Sequence, residues 1–197
     1  MKERIKNLYR GSSVDANGLL KAVQRGWLTL EDVVEIVGEE NAGEVIKNAK
    51  LQEISKACNT VIVSGVDVTL GEETVHFNLS IEDQTNIANL FRVVELGGTE
   101  FPYQSDGGVC RIYTAQEIAT IYIAAQTLIT TQTTYHNELK SYVLSLKDTD
   151  KITAVTYGMT LPKKYQTEMQ SKLAVAQAQM DAIVARMNEV VSGNAEA

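Results

Sequence analysis

Residues 168–191 read EMQSKLAVAQAQMDAIVARMNEVV. Met169, Leu173, Ala176, Met180, Ile183, Met187 and Val190 follow one another in steps of 4, 3, 4, 3, 4 and 3. That is the spacing of a coiled-coil seam, which repeats every ~3.5 residues, held here for about three heptads. The remaining positions are mostly Gln, Lys, Glu, Asp, Arg, Asn and Ala, so the apolar stripe is narrow. A helix buried in a globular core carries a wider one. Val175, Val184 and Val191 flank the seam and widen it, which favours more than two strands or docking on a broad surface. Methionine fills gaps without imposing one geometry. Two placements are open: a bundle between chains, or antiparallel packing on a long helix of the same chain.

Such a long helix lies upstream. Thr114-Ala115-Gln116-Glu117 is a capping box, and an apolar stripe then runs from Ile118 through Ile121, Tyr122, Ala125, Leu128, Ile129, Tyr135, Leu139, Tyr142 and Val143 to Leu146. The connector 147–162 has a β-branched centre, Ile152 to Tyr157, that admits a short strand, and Pro162 sits where a helix can start. Before the long helix, Phe101-Pro102-Tyr103, Asp106-Gly107-Gly108 and Val109 to Tyr113 read as a turn followed by a short strand. Val66, Val68 and Leu70 alternate with polar residues, Gly71-Glu72-Glu73 turns the chain, and Val75, Phe77 and Leu79 alternate on the way back. This is a β-hairpin. Ser80 with Asp83 caps a helix over 81–96, which Gly97-Gly98 ends.

Toward the N-terminus, Ile5, Leu8 and Tyr9 mark a short helical arm. Residues 14–38 read as two short helices: Gly26 closes the first, Thr29 with Asp32 opens the second, and Gly38 stops it. Trp27 stands in the turn, where its ring can cover both helices. About 25 residues cannot bury enough surface alone, so this hairpin is expected to dock on something. A longer helix follows over 39–58, before Gly65 forces a turn. The expected fold class is α+β, mostly helical, with a helical hairpin, a small antiparallel sheet packed on long helices, and a coiled-coil-like C-terminal helix. Its parts are 1–38, 39–148 and 149–197.

Composition narrows the function. Of 197 residues, 44% are hydrophobic and 22% charged, as in soluble globular domains. The net charge is −7 and no basic patch exists, which speaks against nucleic acid and anionic membranes as partners. No apolar run has the length of a membrane span or of a signal-peptide core. Cys58 and Cys110 read as buried thiols of a chain made in a reducing cytoplasm. His76 is expected on the solvent face of its strand, opposite Val75 and Phe77, and His136 as a satisfied core or interface histidine. Neither has the neighbours of a metal site. Asp83 is the one acid–base candidate, and its capping position accounts for it. No nucleophile elbow, phosphate loop or dinucleotide fingerprint occurs. The expectation is a protein that is not an enzyme, needs no cofactor or metal, and acts by assembly. Its candidate partner interface is Trp27, Leu28, Met169, Leu173, Ala176, Met180, Ile183, Met187 and Val190.

Two segments carry a resemblance. Leu19 to Gly38 runs as an apolar helix, Gln24-Arg25-Gly26, Trp27, Leu28-Thr29 and an acidic helix ending in glycine. It resembles the XkdX family of helical-hairpin proteins encoded beside phage tail-fibre genes. Residues 49–146, with Lys50 to Asn59, Ile62 to Gly65, Asp83 to Asn86 and Thr114 to Glu117, are similar to an uncharacterised phage-tail domain family. Phe101-Pro102-Tyr103 stands where that family often carries Trp. The resemblance implies a structural or accessory component of a bacteriophage tail, at the baseplate or fibre attachment, located in the virion tail after synthesis in the host cytoplasm. Its implied partners are itself, as a trimer, and tail-fibre or baseplate proteins. A fibre-assembly chaperone absent from the finished particle and an adaptor unrelated to phages are the alternatives. The seam at 169–190 lies outside both segments.

Overall fold

The computed structural model describes residues 1–194, except the side chains of 188 and 190–194. The elements are α1 (Lys2–Arg10), α2 (Ala16–Gln24), α3 (Leu30–Val37), α4 (Glu39–Val63), β1 (Val66–Leu70), β2 (Glu73–Phe77), α5 (Ile81–Glu95), β3 (Glu100–Tyr103), β4 (Arg111–Thr114), α6 (Ala115–Ser145), α7 (Thr149–Ala154) and α8 (Lys163–Asn194). The fold is mostly helical α+β, with two separate two-stranded antiparallel sheets. It divides into two compact units, each drawn from distant stretches of chain.

The first unit comprises residues 1–57 and 136–165. Asp15 caps α2 by accepting from the Gly18 amide. Thr29 and Asp32 form a reciprocal capping box at α3, at 3.1 and 2.8 Å. Leu19, Ala22, Leu28, Val33 and Ile36 are buried, so the helical hairpin closes on its own apolar faces and on Ile5 of α1. Lys2 meets Asp32 and Glu35, and Lys6 meets Glu35, which ties α1 to α3 through an exposed network. One exposed contact links the hairpin to α4: the Gln24 amide of α2 reaches Glu53 at 3.5 Å. On α4, Lys47 donates to the Leu144 carbonyl in the last turn of α6, where helix carbonyls lack helical partners. The buried Lys50 is held by both oxygens of Glu53 at 3.0 Å. The rings of Tyr142 and Tyr165 lie 5.5 Å apart.

In the connector, a helical turn replaces the strand expected at 152–157. Asp148 accepts from the Asp150 and Lys151 amides, which closes Thr149–Ala154 as α7 and turns Ile152 inward.

The second unit comprises residues 58–135 and 166–197, as far as they are described. α4 continues to Val63, past the end expected at Cys58. Burial of Cys58 and Ile62 outweighs the weak helix preference of the β-branched run Thr60 to Val63. The Cys58 thiol donates to the Gln132 carbonyl at 3.5 Å. β1 and β2 pair as the alternation requires, with Val68 opposite Val75 and Asp67 opposite His76. Gly71, at φ +67, takes the first central position of the two-residue turn. Val68 and Phe77 face the core; Asp67, Thr69, Thr74 and His76 line the other face. Residues 100–103 form a strand of their own, with Phe101 opposite Tyr113 inside and Pro102 opposite Ile112 outside. A proline fits this position because both strands are edges. α5 and α6 complete the core, with Phe91 stacked on Tyr122 at 4.0 Å.

Candidate assembly surface

The seam of α8 divides into two parts. Met187 is buried in the second unit's core with Phe91, Ile121 and Ala125, and Ile183 packs partly against the same cluster. The chain itself therefore supplies the partner for these two positions. Met169, Leu173, Ala176 and Met180 are only half-buried, and Val175 beside them is 61% exposed. Val190 belongs to the seam by spacing, but its side chain lies outside the described residues.

In the N-terminal hairpin the two expected contact residues separate. Leu28 is 4% exposed and belongs to the interior. Trp27 is 47% exposed, with the Arg25 guanidinium 5.0 Å from its ring centre. About half of Trp27 is therefore open to solvent at the turn. The chain leaves the helix through Gly26 at φ +68, which turns Leu28 inward and leaves Trp27 outside.

The chemistry-bearing residues fall as follows. Asp83 accepts from the Ser80 amide and its own amide donates to the Ser80 hydroxyl, both at 3.1 Å, a complete capping box. Cys110 is exposed in the loop before β4, which corrects the expectation of a buried thiol; it lies in the run 106–112, exposed throughout, ahead of the Phe101–Tyr113 pair that faces the core. His76 is half-exposed and more constrained than a free strand residue. Its Nδ1 lies 2.6 Å from an Asp67 carboxylate oxygen and its Nε2 lies 2.8 Å from the Ser64 carbonyl. Both partners only accept, so the ring satisfies both contacts at once only when it is protonated as the imidazolium. The Asp67 contact raises the His76 pKa above 6.5, against a smaller opposing effect of burial. His136 is shifted down instead, by burial and then by Lys140. Among the described residues, no three His, Cys, Asp or Glu side chains converge as metal ligands. No described helix is long and apolar enough to cross a membrane.

Two groupings escape sequence reading. The Asp67–His76–Ser64 clip depends on a cross-strand register and on the end of α4. Gln104, Ser105, Asp106, Gly107 and Cys110 form one wall of a cleft, although their sequence signals only a turn.

Together these features define a mostly helical α+β protein with a half-buried heptad stripe on its C-terminal helix. Residues 45–157, more than half of the chain, match the model of a domain family of unknown function, DUF4376. The chain belongs to that family. No curated protein and no solved structure matches it.

Proposed function

We propose that this chain is a structural or accessory component of a bacteriophage tail, in the baseplate or fibre region, and acts through protein–protein assembly. The observation that carries the reading is the stripe Met169, Leu173, Ala176 and Met180. These residues keep coiled-coil spacing on α8 and stay half-buried in the single chain. Apolar residues in such a row gain free energy, ~25 cal/mol per Å² of apolar surface, when another surface covers them. The exposed Val175 widens the stripe beyond a two-stranded seam. The chain therefore associates with itself, as a trimer, through this part of α8. The setting comes from the phage-tail resemblance of residues 19–38 and 49–146. In this reading the exposed Trp27 on the N-terminal hairpin is the contact to a fibre or baseplate protein.

Two measurements test the reading. Light scattering on the unmodified chain should give the mass of a trimer; a monomer sinks the intermolecular seam. Mass spectrometry of purified tailed particles from the source genome should detect the chain. Its absence from particles, with its presence in infected cells, would replace this reading with that of a fibre-assembly chaperone.

A further inference from the structure

A cleft of about 380 Å³ opens in the second unit, between the end of β2, the first turns of α5 and the loop that joins β3 to β4. That is within the ~300–1,000 Å³ range of small-molecule sites. Its walls are held by the main chain. The Asp106 amide donates to the His76 carbonyl at 3.0 Å, and the Gly108 amide donates to the Ser105 carbonyl at 3.1 Å. The Ser80–Asp83 capping box holds the α5 wall. Tyr103 is fixed by its rings' contacts, stacked near Phe77 at 6.3 Å and edge-on to Tyr113 at 6.4 Å.

The lining decides the class of ligand. It holds two carboxylates, Asp83 and Asp106, three side-chain amides, Asn78, Asn86 and Gln104, and the Tyr103 ring. No Lys, Arg or His is among the described residues that line it. Two carboxylates without a cation repel phosphate, sulfate and carboxylate groups. A metal ion is disfavoured because one Asp83 oxygen already serves the Ser80 cap, and Asp83, Asp106 and Cys110, though all in the lining, do not converge as a ligand set. An apolar molecule would strip water from five amide and carboxylate groups without replacing their hydrogen bonds. A polyol meets the same groups productively: its hydroxyls donate to the carboxylates and both donate to and accept from the amides. Its C–H face can lie on an aromatic ring.

We propose that this cleft binds a neutral polyhydroxylated ligand, a saccharide of one or two rings. The site does not depend on the assembly reading, since none of its residues belongs to α8 or to the N-terminal hairpin.

Saturation-transfer NMR on the full chain tests it. The probes are glucose, galactose, mannose, N-acetylglucosamine, N-acetylgalactosamine and their common disaccharides at millimolar concentration, with glucose 6-phosphate as the charged counterpart. At least one neutral sugar should receive saturation, and glucose 6-phosphate should receive less than glucose. The double variant Asn86→Ala, Gln104→Ala removes neither a cap nor a core residue. It should melt as the unmodified chain does and bind the sugar at least about tenfold more weakly. In the unmodified protein, the side-chain amide signals of Asn86 and Gln104 should move on titration, which locates the site even if the variant misfolds. Silence from every neutral sugar would overturn the proposal. So would undiminished binding by a folded double variant, equal binding of glucose 6-phosphate, or shifts confined to residues outside the cleft.

Discussion

At the scale of single residues, Gly65 and His76 form one device. Gly65 sits at φ +89 between α4 and β1, a conformation that L side chains rarely adopt. A β-carbon there would strike the Phe77 carbonyl, the Asn78 backbone and the His76 ring. Gly65→Ala should therefore destabilise the chain by more than ~1 kcal/mol, read as a lower urea midpoint. The His76 ring, between Asp67 and Ser64, links folding to pH. Its folded pKa is raised above 6.5, so its contribution is complete below about pH 6.5 and is lost as pH rises through the folded value. His136 works the other way. Its lowered pKa gives stability that is present above 6.5 and lost as pH falls through the folded value. The urea midpoint of the unmodified chain should fall relative to that of His76→Gln as pH rises from about 6 to 8. Parallel curves for the two proteins would show that the clip does not hold the proton.

At the scale of elements, α8 is one helix with two surroundings. Met187 contributes to a packed core, whereas Leu173 lies on a half-buried stripe. Met187→Ala should cost about 2–5 kcal/mol of stability, measured by denaturant titration, because it opens a cavity beside Phe91 and Ile121. Leu173→Asp should lower the mass seen by light scattering while leaving the helix content of the dissociated chain unchanged. If Leu173→Asp instead unfolds the chain as Met187→Ala does, the stripe is part of the chain's own core. Element ends were largely legible in advance. Ser80-x-x-Asp83, Thr29-x-x-Asp32 and Thr114-x-x-Glu117 each form the reciprocal box that their spacing announces. These are local interactions over three residues, so the sequence alone specifies them. The end of α4 and the identity of α7 were less legible. Both turn on which side chain finds a buried place, and no local spacing records that.

At the scale of the whole molecule, the segment that defines the family is not a complete packing unit. The match covers residues 45–157, while the core around Phe91 and Ile121 includes Met187 of α8. A chain truncated after Tyr165 should expose that core, bind an apolar dye such as anilinonaphthalene sulfonate, and lose a cooperative melt. A truncated chain that melts cooperatively and ignores the dye would show that α8 contributes nothing to folding.

The division between what was written in the sequence and what was not follows interaction range. Helix caps, the β-hairpin with its Gly71 turn, the inward and outward faces of β1 and β2, and the heptad of α8 all rest on residues within a few positions of one another. Each was determined by the sequence alone. Tertiary structure decided the rest: which end of the heptad the chain covers itself, why Leu28 rather than Trp27 turns inward, and how Asn86, Gln104 and Asp106 come to share one cleft. These outcomes depend on burial against partners dozens of residues away. Apolar burial is non-directional, so a pattern of apolar residues says that a face will be covered without saying by what.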